Sequence, residues 1–67
     1  MNISVNGSGM ELAHEESLTV LLEKLSLSQK TGFAIAVNSS VVPKKNWGDF
    51  TIHHGDEITI IEAAQGG

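Results

Sequence analysis

The sequence predicts an α+β domain in which one amphipathic helix lies on one face of a small mixed sheet. Three observations predict it. A single segment carries helical spacing, with Leu18, Leu21, Leu22 and Leu25 at i, i+3, i+4 and i+7. Segments on both sides of it alternate apolar and polar residues at the period of a half-buried strand. Gly, Asn, Ser or Pro punctuates the junctions between them. A chain of 67 residues has room for one domain and buries only about 60% of its unfolded surface. A lone helix must therefore hide its leucines against the one available sheet face.

Each element follows from its residues. Ile3–Val5 alternates, "NGSG" offers permissive backbone at Gly7 and Gly9, and Met10–Ala13 resumes the alternation, which reads as a β-hairpin. The helix is expected over roughly residues 18–26, with Ser17 as its N-cap. Glu15 and Glu16 precede it near the positive end of its dipole, and Glu23 and Lys24 are expected in water. "SLSQKTG" loses the period. Phe33–Asn38 is a strand with Phe33, Ile35 and Val37 on one face and the small Ala34 and Ala36 on the other. "NSSVV" gives a turn and a short strand. Pro43 has no ladder donor, which places that strand at an edge or ends it. "KKNWGDF" is irregular or 3₁₀ and carries the single Trp47, expected to cover one end of the core. "TIH" is a brief strand. Gly55 and Asp56 turn the chain, with Asp56 placed to accept from a nearby N–H. "EITIIEAA" is the last strand, with Ile58 and Ile60 facing the core and Ile61 the opposite face.

The order strand, strand, helix, strand, short strand, strand suits a β-grasp, with the first and last strands as central neighbours. Ile3, Val5, Phe33, Ile35, Val37, Ile58 and Ile60 would then meet the four leucines. At about 1.5–3 kcal/mol for each fully buried side chain, such a core offsets the ordering entropy by a small margin. Residues 1–67 read as one domain with a flexible C-terminal tail from about residue 63. An apolar patch around Ile61, next to Glu62, would lie beside that tail as a docking surface.

Composition narrows the function classes. Eight carboxylates face four lysines with no arginine, for a net charge of −4. Nucleic-acid binding draws on phosphate neutralisation by a basic surface, so it is not expected here; a basic protein partner is. There is no cysteine, hence no disulfide or thiol nucleophile. No apolar run approaches the roughly 20 residues of a membrane span, and no signal-peptide pattern opens the chain. A soluble, cytoplasmic protein, monomeric when free, is the expectation.

The chemistry-bearing motifs are few. His53 and His54 are adjacent and diverge on a strand, and His14 is distant, so no metal site is expected. "NGSG" opens no helix and is no phosphate cradle. The serines form no nucleophile elbow, and Asp56-Glu57 would diverge on their turn. No catalytic residue is expected on this chain. The distinctive feature is the terminal Gly66-Gly67. Glycine packs nothing and is costly to order, so a Gly-Gly end contributes little to a fold. Its α-carboxylate, ionised at neutral pH, is a chemical handle with no side chain beside it. A narrow enzyme channel that any Cβ would block can receive it. Attack on the α-phosphate of ATP would turn the inert carboxylate into an acyl donor.

"AVNSSVVPKKNW", then "HGDEITII", then "GG" resemble the thiamine sulfur carrier (ThiS) family of the ubiquitin-like β-grasp group. The matching positions are Val37-Asn38, Val42-Pro43, Trp47, Gly55-Asp56, Ile58 and Gly66-Gly67. The resemblance implies that Gly67 carries an adenylate and then a thiocarboxylate, with Gly66 as a slender neck. Ala63, Ala64 and Gln65 would lie along the partner's channel. It also implies three partners: a ThiF-like adenylating enzyme that uses ATP and Mg²⁺, a cysteine-persulfide sulfur donor, and a ThiG-like thiazole synthase. The carrier itself would bind no cofactor. Three other readings share the fold: a molybdopterin synthase small subunit, which is usually longer, a protein modifier joined to lysines through the tail, and a plain interaction module.

Overall fold

The computed structural model describes residues 1–62. Five strands form the main sheet: β1 (Asn2–Val5), β2 (Ser8–Glu11), β4 (Phe33–Val37), β5 (Ser40–Val42) and β7 (Glu57–Glu62). Their order across the sheet is β2-β1-β7-β4-β5. The pair β1 and β7 runs parallel and the other neighbours antiparallel, so the sheet is mixed. One helix, α1 (Leu18–Lys24), covers a single face. A second, two-stranded pairing joins β3 (Glu16–Ser17) to β6 (Thr51–Ile52). The sequence showed no alternation long enough to reveal β3.

Tight turns set the register. The first hairpin turns on Asn6 and Gly7 alone, both at positive φ (52° and 84°). That is the two-residue hairpin geometry whose twist matches the strands. Ser8 and Gly9, expected in the turn, are therefore the start of β2. The second hairpin turns on Asn38 and Ser39, also at positive φ (52° and 74°).

The helix begins as its sequence predicts and ends earlier. Ser17 Oγ accepts from Val20 N at 3.2 Å, capping the first turn. At the other end Ser26 adopts a left-handed φ of 63°. Ser26 N donates to Glu23 O, and Leu27 N donates to Leu22 O at 2.8 Å. Those two bonds close the helix on Lys24, with a serine where glycine is usual. Leu25 becomes the cap and is only half-buried, while Leu18, Leu21 and Leu22 are buried.

The core joins those three leucines to Ile3, Ile35, Val37 and Ile58, as the alternation predicts. Leu12, Val42, Trp47 and Ile52 complete it. Val5 and Phe33 are half-buried against it, and Ile60, expected in the core, is only half-buried. Trp47 follows a 3₁₀ turn over Lys44–Asn46. Its Nε1 donates to Val42 O at 2.8 Å, which satisfies the one polar atom that its burial would strand. Its ring stacks on Phe33 with centroids 5.5 Å apart.

Glu16 precedes the helix as expected, but it is also a strand residue of β3 and its side chain is only 3% exposed. Lys24 reaches it at 2.7 Å, so the lysine expected in water neutralises a buried carboxylate. Glu16 Oε2 accepts no hydrogen bond among the described residues.

Candidate functional site

The site is built around β7, because the Gly-Gly tail follows it. β7 is the middle strand of the sheet and is held from both sides. On the β1 side, Asn6 N donates to Ile58 O at 2.9 Å, and Ile60 N donates to Asn6 Oδ1 at 2.8 Å. The asparagine side chain thus extends the ladder past the end of β1. On the β4 side, Asn38 N donates to Glu57 O, and Glu57 N donates to Asn38 Oδ1 at 2.9 Å. Asp56, in the turn before β7, accepts from Asn38 Nδ2 at 3.0 Å and from His53 N at 2.9 Å. Both hairpin asparagines therefore serve their own turn and the tail-bearing strand at once.

Register then decides what each face of β7 shows. Ala34 pairs with Ile61 and Ala36 with Thr59, while Ala36 also pairs with Val41. Directly paired residues share a face. Ile61, Ala34, Ala36 and Val41 consequently form an apolar strip on the face away from the helix. Ile61 is 47% exposed and Val41 65%. The strip fades toward β1, where Ser4 pairs with Glu57. Ile61 thus lies where the alternation puts it. Val41 was missed because "NSSVV" is too short to assign faces.

Glu62, expected to share the docking patch with Ile61, lies on the opposite face, paired with Phe33. Its carboxylate accepts from the Lys30 ammonium. That hydrogen bond, and then the attraction of the lysine charge, holds the Glu62 carboxyl below its ordinary pKa. The ion pair ties the segment after α1 to the end of β7. Beside it opens a cavity of about 420 Å³, lined by Phe33, Ala34, Trp47 and Ile61 with Lys30 and Lys44 among its polar residues. Nothing in the sequence marked this cavity, since its walls come from three separate segments.

The remaining tail positions, Ala63, Ala64, Gln65, Gly66 and Gly67, lie outside the described residues. The histidines are occupied apart from one another. His54 Nδ1 accepts from Asn2 N at 2.9 Å, His53 Nε2 faces Glu15 at 3.5 Å, and His14 Nδ1 meets the carbonyl of Glu15. Among the described residues no helix is long and apolar enough to cross a membrane.

Comparison with known proteins agrees with this architecture. The family model for the ThiS family matches residues 3–67. The chain is 33% identical to the sulfur carrier protein ThiS of Escherichia coli (strain K12) over 67 residues, all of both chains. It superimposes on the crystal structure of the thiamine biosynthesis protein (ThiS) from Geobacter metallireducens with a TM-score of 0.87. That match has 26% identity and covers both chains completely. Against the solution structure of a thiamine biosynthesis protein from the same organism the TM-score is 0.77, at 28% identity, with 100% of this chain and 88% of the other covered.

Proposed function

The chain belongs to the ThiS family, and from that premise we propose that it carries sulfur for thiamine biosynthesis on the carboxyl group of Gly67. The observation that carries the reading is the family match itself, which runs through Gly66 and Gly67 to the last residue. The chain is then a protein substrate, and the chemistry belongs to its partners.

The steps follow from the chemistry of a carboxylate. In a ThiF-like enzyme, with ATP and Mg²⁺, a Gly67 carboxylate oxygen attacks the α-phosphorus and pyrophosphate leaves. The carboxyl carbon, unreactive as an anion, is now an acyl-adenylate. The outer sulfur of a cysteine persulfide attacks it and AMP leaves, giving an acyl disulfide. A thiol takes the donor-side sulfur into a new disulfide and releases the thiocarboxylate. A ThiG-like thiazole synthase receives that sulfur into its substrate, an oxygen from that substrate or from water takes its place on the acyl carbon, and the tail returns as a carboxylate. This chain contributes reach and presentation. Five residues follow Glu62, a span of at most about 3.3–3.6 Å each when extended. Fixing that tail in a channel costs about 1–2 kcal/mol per residue, which the docking of the folded body must offset.

The test is the intact mass of the chain after incubation with ATP, the adenylating enzyme and a sulfur source. The expected result is exchange of one oxygen for sulfur, lost when Gly67 is deleted while the circular dichroism spectrum is kept. An unchanged mass with a demonstrably active enzyme refutes the reading.

A further inference from the structure

The chain is acidic overall, yet its lysines are not spread evenly. Lys24 serves Glu16 and Lys30 serves Glu62. Lys44, at the start of the 3₁₀ turn, engages no carboxylate among the described residues, and Lys45 follows it. Lys44 also lines two cavities. The first is the 420 Å³ cavity beside Ile61. The second, of about 200 Å³, runs back toward the helix over Leu22 and Leu27. Lys30, Lys44 and Trp47 line both, so the two are halves of one groove. Its floor is apolar, its rim is cationic, and no Asp or Glu lines it among the described residues. It lies apart from the strip on the outer sheet face and meets it only at Ala34 and Ile61.

We propose that this groove is a second docking site, which takes an extended acidic segment of the adenylating enzyme that receives the tail. The segment would set an apolar side chain over Trp47 and Leu27 and a carboxylate on Lys44. The inference rests on the carrier reading and adds the chemistry of the partner surface. Charge complementarity selects the occupant: Lys30 is already neutralised by Glu62, so Lys44 is the rim charge left to answer, which a basic segment would repel and a wholly apolar one would leave uncompensated. Position supports it as well. One end of the groove is Ile61, two residues before the tail leaves the described fold, so an enzyme gripping the groove also fixes where the tail starts.

The experiment uses the full chain labelled with 5-fluorotryptophan, whose single Trp47 gives one fluorine resonance. Unlabelled adenylating enzyme is added, and affinities are measured for the wild type and for Lys44→Glu, Lys44→Gln and Lys45→Glu. The expected result is a shifted Trp47 resonance in the complex. Lys44→Glu should weaken binding about tenfold or more and Lys44→Gln by less, while Lys45→Glu stays close to wild type. Wild-type binding with an unmoved resonance, or equal losses for Lys44→Glu and Lys45→Glu, overturns the groove and leaves the carrier reading intact. Absence of wild-type binding to an active enzyme removes both. A Trp47 shift caused in the free chain by deleting residues 63–67 gives the groove to the chain's own tail and overturns the proposal. A shift with protein concentration gives it to a second copy, with the same consequence.

Discussion

Asn6 ties the first hairpin to the central strand β7 through one side chain, so its replacement makes a sharp test. The residue holds a left-handed backbone (φ 52°) and its Oδ1 receives the amide of Ile60. Alanine at that position loses one neutral hydrogen bond, about 1 kcal/mol. It also removes the short polar side chain that lets asparagine tolerate a left-handed backbone, a conformation that costs an ordinary residue roughly 1 kcal/mol or slightly more. Asn6→Ala is therefore expected to destabilise the domain by about 2 kcal/mol. In a domain of this size that lowers Tm by roughly 8–16 °C. Asn6→Asp keeps both the acceptor and the tolerance of positive φ, so it should lie within about 0.5 kcal/mol of wild type. Urea unfolding followed by Trp47 emission measures both values. Amide exchange reports the mechanism: Ile60 N–H should lose protection in Asn6→Ala beyond the global change and keep it in Asn6→Asp. The reasoning fails if alanine is tolerated, or if aspartate is as damaging as alanine.

Three other perturbations test separate parts of the account. Ile61→Asp puts a charge on the outer strip of β7, where Ile61 is already half in water; affinity for the adenylating enzyme should fall about tenfold or more with little change in Tm, as a calorimetric titration and a melting curve would show. Lys24→Met leaves the buried Glu16 carboxylate without its cation and should cost about 1–3 kcal/mol, less than for a fully buried pair because Lys24 is half-exposed, whereas Glu16→Leu combined with Lys24→Met should recover most of the loss in the same urea assay. The Lys30–Glu62 pair depresses the Glu62 pKa, so its contribution is complete above the ordinary carboxylate pKa and disappears as pH falls through the lower folded value. A carboxyl-carbon NMR titration should place Glu62 below that ordinary value, and Lys30→Ala should move it back up.

Much of this was legible where periodicity is long enough to speak. Leu18, Leu21 and Leu22 define one helix face, and Ile35, Val37 and Ile58 the sheet face that receives it. Ile61 follows from parity alone, because a strand alternates without exception until it bulges. The helix C-terminus was less legible. It depends on Ser26 taking a conformation that serine rarely adopts, and the following hydrogen bonds are invisible in the residue types. The pair β3 and β6 was illegible for a different reason: two residues make no period, and the partners, Glu16 with Ile52 and Ser17 with Thr51, lie far apart in the chain. Burial of Glu16 depends on that pairing, so it could not be foreseen either. The groove requires knowing that Lys30, Phe33 and Lys44 converge, and convergence of separate segments is a property of the tertiary fold alone. The glycines at positions 66 and 67 stand out in the sequence because no periodicity accounts for them, and they lie outside the described residues.

The position of β7 at the centre of the sheet governs the moment at which the molecule comes into being. On a ribosome, β1 and β2 emerge as one hairpin and β4 and β5 as another, with no shared edge until the last strand arrives to join them. Val5 must wait for Ile58, almost the whole chain, before its parallel pairing can form. A nascent chain halted short of β7 lacks both a continuous sheet and the glycines that follow. Only a chain synthesised through β7 can complete the sheet and lock its two hairpins into one fold.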